Sequence, residues 1–273
     1  MFLEFIQLKE EIIRKCENRP VLLALNGGNW GDGLIRYATV DFLNRIGVRF
    51  EVMRLTEFSH VDNTENKDID LTKYSLVLAS GGGYWRLGSK DKHLRIAALA
   101  KRVKHVIVLP CSYDMKIPDY FTPNISFYAR DKFQSQDNVP QAKFCHDMAF
   151  AAHDIMAVPG VGAGLFFRKD AEKVKGSPIF ENSIDISGQG TAWMDIHGFL
   201  ERISEYSTIL SNRTHVCIAG ALMGKNVHMF SNSYFKNEAV FKSTLSIHFP
   251  KVEFHRELKV DIVDEIIQKS EDR

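Results

Sequence analysis

The chain has 273 residues, 45% hydrophobic and 25% charged, which is ordinary globular usage and enough length for one large or two small domains. Its 35 basic and 34 acidic side chains leave a net charge of +1, so a broad basic surface for nucleic acid or anionic lipid is excluded, though a local basic pocket is not. Four cysteines, Cys16, Cys111, Cys145 and Cys217, stand singly without CxxC spacing; this argues against a zinc centre and a disulfide framework and for buried thiols in a reducing compartment.

Apolar residues at Phe2, Phe5, Ile6, Ile12 and Ile13 predict a helix over residues 2–17, ended by Asn18 and Pro20. "VLLAL" (21–25) reads as a buried parallel strand, and a glycine turn leads into a helix over 34–46 that stops at Gly47. Strands are expected at 49–55, 74–80, 105–110 and 125–131, with a helix in "KHLRIAALAKRV" after the third of these five strands. "AVPGVGAG" (157–164) marks a change of composition. Beyond it the alternation resumes, with strands in "LFFRKD", "ENSIDIS", 207–212 and 226–231 and helices near 191–205 and in "HVCIAGALMG". The tail "KVDIVDEIIQKSEDR" has helical spacing.

Strands alternating with helices imply right-handed crossovers and mostly parallel sheets. The expected fold class is therefore α/β: two Rossmann-like domains facing across a cleft, 1–157 and 158–257, with a C-terminal helix in 258–273 packing back on the first. No apolar run reaches the roughly 20 residues a bilayer span requires, and the start of the chain mixes charge into its apolar positions, so a cytoplasmic location is expected.

Ligands of such sheets sit at the carboxyl ends of the strands, where the glycine-rich stretches fall. "NGGNWGDG" (26–33) has neither the GxGxxG spacing of a dinucleotide site nor a Walker loop. It offers a helix N-terminus suited to an anion or polar ligand, or a turn in which Asp32 caps a helix starting at Gly33. "ASGGGYW" (79–85) is either a backbone surface for substrate or a sharp exit from the sheet. Arg213-Thr214-His215 places a cation and an imidazole at a strand-to-helix transition, and Arg168 and Arg130 stand at other strand ends, a pattern suited to an anionic ligand. A surface arginine and a satisfied core histidine are the plainer alternative.

Taken in order, Asn29, Gly31 and Asp32, then Gly81 to Gly83, Pro110 and Ser112, Arg130 and Asp131, Arg213 and His215, and "SNSYFKNEAVF" with Asn232, Ser233, Tyr234 and Lys236 resemble the motif series of the polysaccharide pyruvyl transferases, over about residues 21–241. "CSYD" stands where that family often has Gln before the serine. The resemblance implies a fold similar to two-domain, type B glycosyltransferases. It implies phosphoenolpyruvate as donor substrate, with no other cofactor and no metal, and a saccharide acceptor, lipid-linked in some settings, with peripheral rather than transmembrane contact to a membrane. The product implied is a pyruvate ketal on a surface polysaccharide or its precursor.

On that resemblance Arg213, Arg168 and Lys236, with Asn232 and Ser233, bind the donor; His215 moves protons with Arg213 beside it, and Asp32 holds or deprotonates an acceptor hydroxyl. Asn29, Trp30, Gly31, Gly82, Gly83, Tyr84 and Arg130 line the acceptor site, and Trp30, Tyr84 and Trp85 are exposed rings that stack on a sugar or, alternatively, pack beneath the loops. Two rivals share the architecture: a nucleotide-sugar glycosyltransferase and a noncatalytic sugar-binding protein.

Overall fold

The computed structural model describes residues 2–58, 69–156, 159–170 and 172–271. The chain divides into two compact units: residues 1–27 with 35–152, and residues 28–34 with 153–273. The expected boundary at 157/158 falls on positions outside the described residues. A finding without a signal in the sequence is that the glycine-rich segment 28–34 belongs by its contacts to the second unit.

In the first unit, α1 (Leu3–Cys16) buries Phe5, Leu8 and Ile12 and ends where Glu17 and Asn18 take left-handed backbone angles, φ 52° and 60°. Its sheet runs in the order β2 (Phe50–Arg54), β1 (Val21–Leu25), β3 (Leu76–Ala79), β5 (His105–Tyr113), β6 (Ile125–Ala129) and β7 (Lys143–Phe144), every pair parallel. Between β1 and β3 the chain reverses its direction of travel across the sheet, the place where open α/β sheets bind ligands. The strands β1 and β3 are buried at every position, which is why they read as unbroken apolar runs.

"GGGYW" is a strand and not a turn: β4 (Gly82–Trp85) pairs with the far half of β5. β5 outruns its expected end because an irregular register between Val108 and Cys111 absorbs Pro110, whose missing N–H would otherwise interrupt a central ladder. Gly81 is needed there, since a Cβ would stand 2.5 Å from the Pro110 carbonyl oxygen, and Gly82 has φ 116°. α3 (Lys90–Ala100) packs Ile96 and Leu99 into the same core as Trp85, Tyr113 and Phe127.

The second unit holds a four-stranded, all-parallel sheet in the order β11 (Val252–His255), β10 (Asn226–Phe230), β9 (Thr208–Ser211), β8 (Ala163–Phe166). α5 (His197–Ser204) and α6 (Thr214–Leu222) precede and follow β9. The strand expected in "ENSIDIS" is absent; Ile186–Gln189 form a single 3₁₀ turn, because Ser183 and Asp185 spend their side chains accepting hydrogen bonds from the Phe167 and Lys169 amides. β11, and α7 (Lys236–Val240) with the wider turn Phe241–Leu245 that continues it, were not expected. The C-terminal helix α9 (Val260–Glu271) buries Val263 and Ile266 with Phe167, Leu210 and Phe230 in the second unit. All four cysteines are buried and free. None of the described helices is long and apolar enough to cross a membrane.

Candidate functional site

β8 and β9 pair Phe166 with Ser211, so Arg168 and Arg213 each emerge two residues beyond matched positions at the carboxyl ends of neighbouring strands. Parallel pairing thus delivers two cations to one place from segments 45 residues apart. Both residues are only 5% exposed. Ser211 Oγ accepts from the Arg213 amide at 2.9 Å and donates to Phe166 O at 2.6 Å, and Asn212 Oδ1 accepts from the Arg168 amide at 2.8 Å, which locks the two strand exits together.

Carboxylates hold both guanidinium groups. Arg213 makes a fork with Asp185, at 2.9 and 2.6 Å, and reaches Asp170 with Nη1 at 2.7 Å. Arg168 makes a second fork with Asp170, at 2.8 and 3.1 Å, and reaches Glu172 at 2.7 Å. Lys236, opening α7, completes the group at 2.9 Å from the same Glu172 oxygen. Burial alone would raise the Asp170 carboxyl, but its bonds to Arg168 and the nearby charge of Arg213 outweigh that and hold it at about 2. Three cations and three carboxylates therefore cancel formally. Asp170 is the least buried of the six, its side chain 43% exposed, and is the partner an incoming anion displaces most readily.

Asn232 belongs to this group, its amide oriented with the oxygen 3.2 Å from Arg168 Nη1 and the nitrogen 2.6 Å from Tyr234 O. Ser233 donates its backbone N–H to Glu172 O at 3.2 Å. Asn237 ties the surrounding loops, donating to Asn212 O and Phe230 O at 2.9 and 2.8 Å and accepting from Thr214 Oγ1 at 2.7 Å.

His215 lies in the first turn of α6, next to the arginine pair in sequence and opposite the glycine segment in space. α2 (Trp30–Arg45) begins three residues earlier than Gly33, so Asp32 is not the cap residue. Asn29 is: its Oδ1 accepts from the Gly31 amide at 2.9 Å while Asp32 Oδ2 accepts from the Asn29 amide at 3.0 Å, a reciprocal capping box. The two glycines make room for it. A Cβ on Gly28 would overlap the Asp32 carboxylate at 2.0 Å, and a Cβ on Gly31 would stand 2.9 Å from His215 Nδ1 and 3.1 Å from its Cβ. The first turn of α2 is thereby seated directly on His215. Trp30 is half-buried, donates from Nε1 to Asp195 O at 2.8 Å and packs 6.0 Å from the Phe199 ring, so it is a fixing residue of the second unit and not a free stacking platform.

In the first unit Tyr84 and Trp85 take the packed alternative, and Arg130 is placed otherwise than as an acceptor contact. Trp85 is fully buried and Tyr84 7% exposed; Trp85 stacks on His93 with ring centroids 4.3 Å apart. Arg130 is 1% exposed, paired with Asp147 at 2.6 Å and with Ser112 Oγ at 2.9 Å. Asp131 accepts from the Phe133 and Ser135 amides at 3.2 and 3.0 Å, which holds the start of α4 (Gln134–Asn138). The "ARD" segment is thus internal scaffolding.

One residue the sequence reading passed over stands out instead. Asn26, first after β1 and 9% exposed, has neither amide atom in a hydrogen bond of normal geometry, and neither has the Tyr84 hydroxyl. Burial pushes that phenol far above its ordinary value, the Cys111 thiol adding to the shift and Asn26 opposing it. Buried polar atoms without partners at the carboxyl end of β1 are what a ligand site presents. The available signal was the single polar residue that ends the apolar run.

Comparisons with known proteins bear on the family and the fold. The model of the family described as polysaccharide pyruvyl transferase matches residues 29–234. The chain belongs to that family. A crystal structure of a functionally uncharacterised protein from Klebsiella pneumoniae subsp. pneumoniae is similar in fold, with TM-score 0.69 and 22% identity over 94% of this chain and all of that one. A search of curated proteins returns no match. The pyruvyl transferase assignment makes the chain a transferase of polysaccharide biosynthesis, with a saccharide acceptor implied.

Proposed function

We propose that this pyruvyl transferase takes the enolpyruvyl group from phosphoenolpyruvate and places it on two hydroxyls of one sugar as a cyclic ketal. The observation that carries the reading is the convergence of Arg168, Arg213 and Lys236 around shared carboxylates at the ends of β8 and β9, with His215 following Arg213 in the first turn of α6. Phosphoenolpyruvate carries a carboxylate and a phosphate about two bonds apart, and two guanidinium forks with an ammonium match two adjacent anionic groups better than one. Its entry displaces Asp170 from both arginines.

Chemically, the methylene carbon gains a proton, a sugar hydroxyl oxygen bonds to the adjacent carbon, and that hydroxyl loses its proton. The carbon–oxygen bond to phosphate then breaks, inorganic phosphate leaves with the bond's electron pair, and a second hydroxyl of the same sugar closes the ketal as its proton passes to the departed phosphate. His215 is the group in this cluster suited to move these protons. The arginines stabilise phosphate as it departs. Asp32 acts here as a positioning residue, holding the helix start that seats Gly31 against His215.

The test is product analysis with phosphoenolpyruvate and a panel of bacterial saccharides. Release of phosphate together with a ketal methyl signal by NMR supports the reading. A vinyl signal would indicate transfer that stops at an enol ether, and turnover of a nucleotide sugar in place of phosphoenolpyruvate would indicate a glycosyltransferase.

A further inference from the structure

The parallel pairing of β10 with β11 sets His228 beside Glu253 and Phe230 beside His255. Residues 253 and 255 are two apart on one strand and share a face, and the register brings His228 to that same face. His228 Nδ1 lies 3.0 Å from His255 Nε2 and 3.6 Å from Glu253 Oε2, and the three donor atoms are all within 4.8 Å of one another. In a tetrahedral zinc centre with bonds of about 2.0–2.1 Å, neighbouring donors stand about 3.3 Å apart, and the two shortest separations bracket that value.

The surroundings suit an ion. His255 is stacked on Phe230, centroids 4.8 Å apart at 23°, which fixes the plane of its ring. α9 covers the cluster with Ile262 and Ile266, and between them lies a cavity of about 490 Å³, to which Asn226, Glu265 and Lys269 also contribute. A hydrogen bond between two imidazoles would account for their mutual distance. It would not account for a carboxylate converging on the same point or for the open volume in front of all three.

We propose that His228, Glu253 and His255 bind one zinc ion, with its fourth position open to the cavity beneath α9. Two imidazoles and a carboxylate are a ligand set that suits this borderline cation. None of the three belongs to the motifs that define the pyruvyl transferase resemblance, and the inference does not depend on the proposed reaction. The ion would join β11, an edge strand, to its neighbour through side chains as well as through the ladder.

The experiment uses the full chain, tag removed and stripped with a chelator, titrated with Zn²⁺ against a chromophoric competitor and separately with Co²⁺ as a spectroscopic probe. The expected result is one saturable equivalent, an intense visible cobalt band of a four- or five-coordinate ion, and a higher melting temperature with zinc. Glu253→Gln, at a side chain 69% exposed and so without consequence for folding, weakens zinc at least about tenfold, as even the loss of an outer-shell partner does. His228→Gln removes the cobalt band. Absence of a stoichiometric site, a weak octahedral cobalt spectrum, or unchanged affinity in Glu253→Gln and His228→Gln would each overturn the proposal.

Discussion

Gly31→Ala is the substitution in which fold and chemistry meet. Alanine at the second position of a helix would ordinarily stabilise it by up to about 1 kcal/mol relative to glycine. Here the added methyl would lie 2.9 Å from His215 Nδ1, 3.0 Å from Asn29 Oδ1 and 3.1 Å from His215 Cβ. The imidazole tip can turn away, but His215 Cβ is fixed to α6, so either the helix start or α6 has to move. Overpacking of this kind costs about 1–3 kcal/mol, and disturbing the Asn29 cap adds about 0.5–2 kcal/mol. The net expectation is a loss of about 1–3 kcal/mol, or roughly 2–4 °C in melting temperature for each kcal/mol. Gly33→Ala is the internal control: it lies in the same helical turn, and its nearest neighbour would be 3.5 Å away, an ordinary contact. Scanning calorimetry of the two variants, with transferase assays on each, should show Gly33→Ala at or above wild-type stability with full activity. Gly31→Ala should be less stable and slower by more than its unfolded fraction explains. Equal stability and activity in the two variants would refute the seating of the α2 turn on His215.

Other consequences follow from particular contacts. Asp170→Asn removes the carboxylate that competes for Arg168 and Arg213, so phosphoenolpyruvate should bind more tightly by about tenfold, the worth of one charge-assisted contact, as read by calorimetry; weaker binding would show that Asp170 positions the arginines instead. His93, 1% exposed, is pushed down to about 4 by burial against an ordinary value of 6.5. The unfolded chain therefore takes up a proton that the folded one refuses: stability is complete above pH 6.5 and falls as pH drops toward 4, by about 3 kcal/mol at most. His93→Phe, which keeps a ring against Trp85, should remove that part of the pH dependence in denaturant titrations; an unchanged profile would show that the folded protein admits the charge. Arg130→Ala leaves Asp147 buried without its cation and should cost about 3–5 kcal/mol. A variant of unaltered melting temperature that fails to bind saccharide would instead return Arg130 to the acceptor site.

The sequence reading located α1, β1, β9, β10 and α9 closely because each carries an apolar pattern of one clear period, and it set Arg168 and Arg213 at strand ends because those ends are visible as changes of pattern; Lys236 was named through the family resemblance alone, since α7 had no signal of its own. It could not see that Asp185 grips Arg213, because that contact spans 28 residues and depends on a loop that reads like a strand. It left Trp85 open between a stacking ring and one packed beneath the loops, and it counted Arg130 among the acceptor-site residues. A tryptophan after three glycines looks like a loop residue until β4 is found paired with β5, and an arginine looks exposed until its buried partner Asp147 is known. Segment 28–34 shows the same limit at larger scale. Its capping box is legible as N-x-x-D, but its membership in the second unit comes from contacts such as Ala192 N to Gly28 O at 3.0 Å, across more than 160 residues.

The most direct test of the donor assignment is calorimetric titration with phosphoenolpyruvate beside uridine and guanosine diphosphates, on wild type and Arg213→Ala. The account predicts that phosphoenolpyruvate alone binds and that the variant loses about 1.5–3 kcal/mol of affinity, tenfold or more. A nucleotide diphosphate that binds while phosphoenolpyruvate is silent, or phosphoenolpyruvate affinity unchanged in Arg213→Ala, would contradict it.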